Sequence, residues 1–107
     1  MTEPTLLFAQ QHDDGRMFRT TAVGGTDGME IHNERTDGEG LVSRWGRRYD
    51  ASAVAMIVAL LGGTADDLDD PVRFLHRLAA AGDLPPDQPV DGWLADHGIA
   101  GEAADLD

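Results

Sequence analysis

Three of the eight arginines fall within five residues, at Arg44, Arg47 and Arg48, interleaved with Trp45 and the only tyrosine, Tyr49. Guanidinium groups beside flat aromatic rings can grip a phosphate or stack on a base. The same residue types also close a structural junction, with the arginines paired to the chain's own carboxylates. Arg44, Trp45, Arg47, Arg48 and Tyr49 are therefore one candidate binding cluster, and they are expected where a strand passes into a helix.

A second chemistry-bearing stretch is Asp66-Asp67-Leu68-Asp69-Asp70, with four carboxylates in five residues. It lies before Pro71 and is expected to form a solvated loop whose last Asp caps a helix. The alternating ligands and central glycine of a calcium-binding EF-hand are missing. The spacing resembles the aspartate-rich magnesium motif of terpene synthases, but the deep helical cavity and second metal motif of those enzymes do not fit in 107 residues. A docking surface for a basic partner is the functional alternative.

Glu30, His32 and Glu34 alternate along one predicted strand and so share a face, with the residue types a metal would take. His12 is the candidate fourth ligand. For covalent catalysis the inventory is thin. There is no Cys and no Lys, Ser43 and Ser52 lack the glycine-flanked elbow of a serine nucleophile, and His76 and His97 occupy ordinary helical positions. No catalytic residue, cofactor or metal site is assigned. A small metal-dependent enzyme built on Glu30, His32 and Glu34 remains a distant third reading.

Trp45-Gly46-Arg47 resembles the signature tripeptide of WGR domains, small sheet-and-helix modules that act at nucleic-acid ends. The likeness spans three residues. Those domains continue with a second glycine-rich turn and basic residues, whereas here Tyr49-Asp50 leads into a helix, so no site residue is carried over.

The charge balance narrows the partners. The chain has twenty acids against eight basic residues, for a net charge of −12. Residues 1–50 hold nine acids and six arginines, and residues 51–107 hold eleven acids with only Arg73 and Arg77. Such a field opposes direct contact with nucleic acid or an anionic membrane and attracts basic protein surfaces. No apolar run approaches the roughly 20 residues of a membrane span, and no basic-then-apolar leader is seen, so a cytoplasmic location is expected. Eight Arg without Lys, beside fourteen Ala, is the composition of a high-GC genome such as that of an actinobacterium or its phage.

The elements that must position these residues change character midway. Thr5–Gln11 and Arg16–Val23 read as a hairpin closed at Asp13-Asp14-Gly15. Met29, Ile31 and Asn33 alternate with polar residues as a half-buried strand does, and Leu41–Trp45 predicts a fourth, short strand. From Asp50, an N-cap, to Leu61 the chain is apolar on nearly every side, which predicts a buried central helix stopped by Gly62-Gly63. Asp70-Pro71 starts a second helix with Phe74, Leu75, Leu78 and Ala81 on its apolar face and Gly82 at its end. A third starts near Pro89 under an Asp87 cap, with Val90, Trp93, Leu94 and His97 on one face and a Schellman-type end at Gly98-Ile99. Pro85-Pro86-Asp87 joins the last two.

Strands followed by helices predict an α+β fold: an N-terminal antiparallel sheet of three to four strands with three helices on one face. Residues 1–99 are expected to make a single domain, and 100–107 a frayed acidic tail. With Asp50, Asp70 and Asp87 set aside as caps, the candidate partner-binding acids are Asp66, Asp67, Asp69, Asp83, Asp91 and Asp96, placed on or between the helices. The expected function is occlusion of a basic site on a partner protein, as an inhibitor, immunity protein, antitoxin or phage-encoded antagonist does, with mimicry of a nucleic acid as one form. The alternative is an accessory or regulatory module that binds a peptide or ligand through the sheet and the Trp45/Tyr49 region. Oligomeric state is left open.

Overall fold

The computed structural model describes residues 4–25, 27–84 and 89–104. Four strands follow one another as neighbours: β1 (Thr5–Gln11), β2 (Met17–Gly25), β3 (Gly28–Thr36) and β4 (Val42–Asp50), all antiparallel. The β2–β3 hairpin is tight. Gly24 sits at φ +130°, and a Cβ there would lie 2.4 Å from the Gly28 carbonyl oxygen, so only glycine lets the two strands close.

Helices α1 (Ala51–Leu60), α2 (Ala65–Asp69), α3 (Pro71–Ala81) and α4 (Val90–Asp96) complete the helical half. Their ends follow from local chemistry. Asp50 accepts the Ala53 N–H at 2.8 Å and Asp70 accepts that of Arg73 at 3.2 Å, each satisfying a donor that the helix cannot. Pro71 occupies the first turn of α3, and Gly82 ends it in the left-handed region at φ 78°. At the end of α4 the Ile99 N–H reaches back to the Leu94 carbonyl at 2.9 Å, the expected Schellman closure. The Asp87 cap and the Pro85-Pro86-Asp87 connection lie outside the described residues, and Pro89 is the cap residue observed.

Leu7, Ala22, Met29, Ile31 and Tyr49 from the sheet meet Val54, Ile57, Leu75, Val90 and Leu94 from the helices in one core. A bulge between Leu6 and Phe8 lets Leu7 join that core while Phe8, paired with Thr20, also faces the helices. The α+β architecture with an N-terminal antiparallel sheet is as expected, but among the described residues it has five strands and four helices.

Four details differ from the sequence expectations. The acidic run 66–69 is not a loop but helix α2, and only Asp70 stands outside it as a cap. The fourth strand does not stop at Trp45. It continues through the arginine-rich segment to Asp50, because pairing with β3 is unbroken from Thr36↔Val42 to Gly28↔Asp50. Helix α1 is not buried all round; only Val54, Ile57 and Val58 are. Within the segment expected to fray, Glu102–Ala103 forms a short strand β5 against Arg47 and Arg48, at the far edge of the sheet from β1. Gly101 allows that approach: a Cβ there would meet the Arg48 carbonyl at 2.8 Å and the Tyr49 ring at 2.9 Å.

Candidate functional site

Alternation along β4 divides the arginine–aromatic cluster between two faces. Arg44 and Arg48 join Glu30, His32 and Glu34 on the outer face of the sheet, away from the helices. Trp45, Arg47 and Tyr49 face the helical side. The five residues are therefore not one binding cluster, and Tyr49, only 1 % exposed, is a core residue opposite Met29. Burial pushes the Tyr49 phenol well up from its ordinary value, and the nearby Asp91 charge adds to this. Its hydroxyl makes no hydrogen bond among the described residues.

On the outer face the proposed metal-binding triad is part of a charge ladder. Glu34 accepts from Arg19 at 3.4 Å and from Arg44 at 2.9 Å. Glu30 meets His32 at 3.0 Å and Arg48 at 3.8 Å. Carboxylate oxygens held by guanidinium groups are poorly placed to ligate a cation, and no cluster of three or more His, Asp or Glu with metal-site geometry occurs among the described residues.

The helical side of the sheet carries an array that the sequence did not single out. Phe8, Phe18 and Trp45 stack in a row, with ring centroids 5.6 and 6.1 Å apart. The Arg35 guanidinium lies 5.9 Å from the Phe18 ring and 5.5 Å from Trp45. Register and the β1 bulge assemble it: Phe18 pairs with Arg35, Trp45 sits across from Asn33, and the bulge brings Phe8 to the same face. Leu41 and Val42, 70 % and 47 % exposed, precede it at the start of β4.

Among the six candidate partner-binding acids, Asp91 is misplaced by the sequence expectation. It is 8 % exposed and accepts a hydrogen bond from the Asn33 side-chain amide at 2.8 Å, while Asn33 accepts one from the Thr20 hydroxyl at 2.8 Å. This buried polar chain ties β2 and β3 to α4 and removes Asp91 from any docking surface. Asp67 is committed too. One of its oxygens accepts the Thr64 N–H at 2.8 Å, and the other pairs with Arg77. The Thr64 backbone hydrogen bond first, and the Arg77 charge after it, hold its carboxyl below the usual range.

Asp66, Asp69 and Asp83 are exposed and make no ion pair among the described residues, and Asp96 is exposed at the end of α4. Two concavities adjoin this side. A depression of about 210 Å³ is lined by Asp66, Asp67, Asp70, Arg73, Phe74 and Arg77. A larger cleft, about 740 Å³, opens where β2, β3 and β4 meet the start of α1 and the 100–102 segment; Asp27, Glu30, Asp50 and Glu102 line it against a single cation, Arg48.

Comparisons with protein-family models, curated proteins and solved structures found no match.

Proposed function

We propose that this chain is a small acidic binding protein that acts by covering a basic site on a partner protein. The observation that carries the reading is the uneven pairing of charge. Among the described residues, four of the five arginines in ion pairs, Arg16, Arg19, Arg44 and Arg48, belong to the strand half, and only Arg77 serves the helical half. Asp66, Asp69 and Asp83 are exposed and make no ion pair among the described residues, and such charge raises the local concentration of a basic partner and speeds its association. Inhibitor, immunity protein, antitoxin and phage-encoded antagonist are all roles of this type, and a partner that normally holds nucleic acid would make the chain a phosphate mimic. No catalytic residue, cofactor or membrane contact is part of the reading. Among the described residues no helix is long and apolar enough to cross a membrane.

Affinity capture with the chain as bait, eluted in steps of salt, tests this. Basic proteins should be retained at about 50 mM salt and released by about 200 mM. The Asp66→Asn/Asp69→Asn/Asp83→Asn variant should retain less. Capture indifferent to both salt and the triple variant would sink the electrostatic reading.

The second reading, a module that binds a peptide or ligand through the sheet, is favoured by the Phe8–Phe18–Trp45 row under Arg35. It now rests on Trp45 without Tyr49. Trp45→Ala would abolish binding in that case, while neutralising Asp66 and Asp69 would do little.

A further inference from the structure

Helix α1 contains no charged residue over its ten positions. At 100° per residue, Val54, Ile57 and Val58 form its buried side, and Ser52, Ala55, Met56, Ala59 and Leu60 form the opposite one. That side is open: Met56 is 51 % and Leu60 41 % exposed. In a chain with 26 % charged residues and a net charge of −12, an exposed helix face with no charge at all is where a cover is missing.

The chemistry at the two ends of the stripe says what the cover is. Beyond the carboxyl end lie Asp66 and Asp69 of α2, exposed and without ion pairs among the described residues. At the amino end, Ala53 lines a cleft that also holds Asp27 and Glu102, while Asp50 there caps the helix and Glu30 is paired with Arg48. An apolar stripe with acid at both ends complements an apolar stripe with base at both ends. A second copy does not supply that, because laying α1 on α1 in either direction brings acid against acid. Ala55 and Ala59 let another helix approach closely, and Met56 adapts its shape to what lands on it.

We propose that the exposed face of α1 is the docking site for an amphipathic helix of a basic partner, with its apolar side on Met56 and Leu60 and its Lys or Arg residues over the acids at either end. The proposal rests on the reading of the chain as a binder of basic proteins, and it names where and in what form the partner is held.

The full chain titrated with a Leu/Lys peptide of about 18 residues, patterned to give one apolar helical face, tests it against a scrambled peptide of the same composition. The patterned peptide should bind about tenfold or more tighter than the scrambled one and gain helicity in circular dichroism. Met56→Gln/Leu60→Gln should weaken that binding about tenfold while lowering the thermal unfolding midpoint only slightly, as both side chains are about half exposed. Asp66→Asn/Asp69→Asn should flatten its salt dependence. If both peptides bind alike and Met56→Gln/Leu60→Gln changes nothing, the apolar dock is refuted while the acidic reading stands. If neither binds at low salt, both fall. A concentration-dependent dimer of the chain that Met56→Gln dissolves would give the face to a second copy and overturn the proposal.

Discussion

The two sides of this molecule use the same residue type in opposite ways. On the outer face of the sheet, Glu34 is shared by Arg19 and Arg44 and Glu30 by His32 and Arg48, so carboxylates there are partners in a ladder. Across the core, Asp66, Asp69 and Asp83 face water and make no ion pair among the described residues. The difference teaches that a net charge is not a surface property until internal commitments are subtracted. Asp50 and Asp70 are spent on caps, Asp67 on Thr64 and Arg77, and Asp91 on the core. What survives the subtraction is smaller than −12 implies, and it is located.

The strongest way to break the comparison is to cut the bridge between the two sides. Asn33→Ala leaves the Asp91 carboxylate buried without its donor and the Thr20 hydroxyl without its acceptor, and should cost about 2 to 3 kcal/mol in chemical denaturation. A loss well below that would mean water replaces the amide and the halves are joined by apolar packing alone.

Charge neutralisation then sharpens the contrast, because its sign should differ between the faces. Glu34→Gln removes the charge that two arginines share and replaces one of their two acceptor oxygens with a donor, at a site whose side chain is only 18 % exposed, and should cost about 0.5 to 1 kcal/mol at low salt. Asp66→Asn/Asp69→Asn/Asp83→Asn relieves repulsion in a strongly negative chain and should raise the unfolding midpoint slightly, an effect that vanishes at high salt. Equal signs for the two variants would erase the distinction drawn between the faces.

The smallest effect is confined to alkaline pH. The folded state holds the Tyr49 proton more tightly than the unfolded chain, whose phenol titrates at its ordinary value near 10.0. Stability from this source is therefore intact below about pH 10 and falls as the pH rises towards the higher folded value. Ultraviolet titration of the only tyrosine should show phenolate appearing together with unfolding. Phenolate formed near pH 10 in a chain that is still folded would return Tyr49 to the surface and revive it as a ligand anchor.

How much of this was legible beforehand depended on the range of the interaction. Asp50, Asp70-Pro71, Gly82 and Gly98 act within a few residues of themselves, so the helix boundaries they set could be read directly. The continuation of the fourth strand past Trp45 to Asp50 could not, because its two faces are a core and a charge ladder. Arg44, Arg47 and Arg48 hide the alternation that Trp45 and Tyr49 would otherwise display. The row of Phe8, Phe18 and Trp45 depends on a bulge and on the register of four strands. Its only sequence trace was that its members are the aromatics of separate strands.

The sequence by itself determined the succession of β1 to β4 and of α1, α3 and α4, the caps at Asp50 and Asp70, and the concentration of acid in the second half, since propensity, capping and composition are local or additive. Only the tertiary structure decided which acids are available. Asp91 looks like its neighbours until Asn33, 58 residues away, is brought within hydrogen-bonding distance of it. The apolar helix α1 looks buried until the sheet proves to cover only one of its sides. Burial and pairing are relations between distant residues, and no local pattern records them.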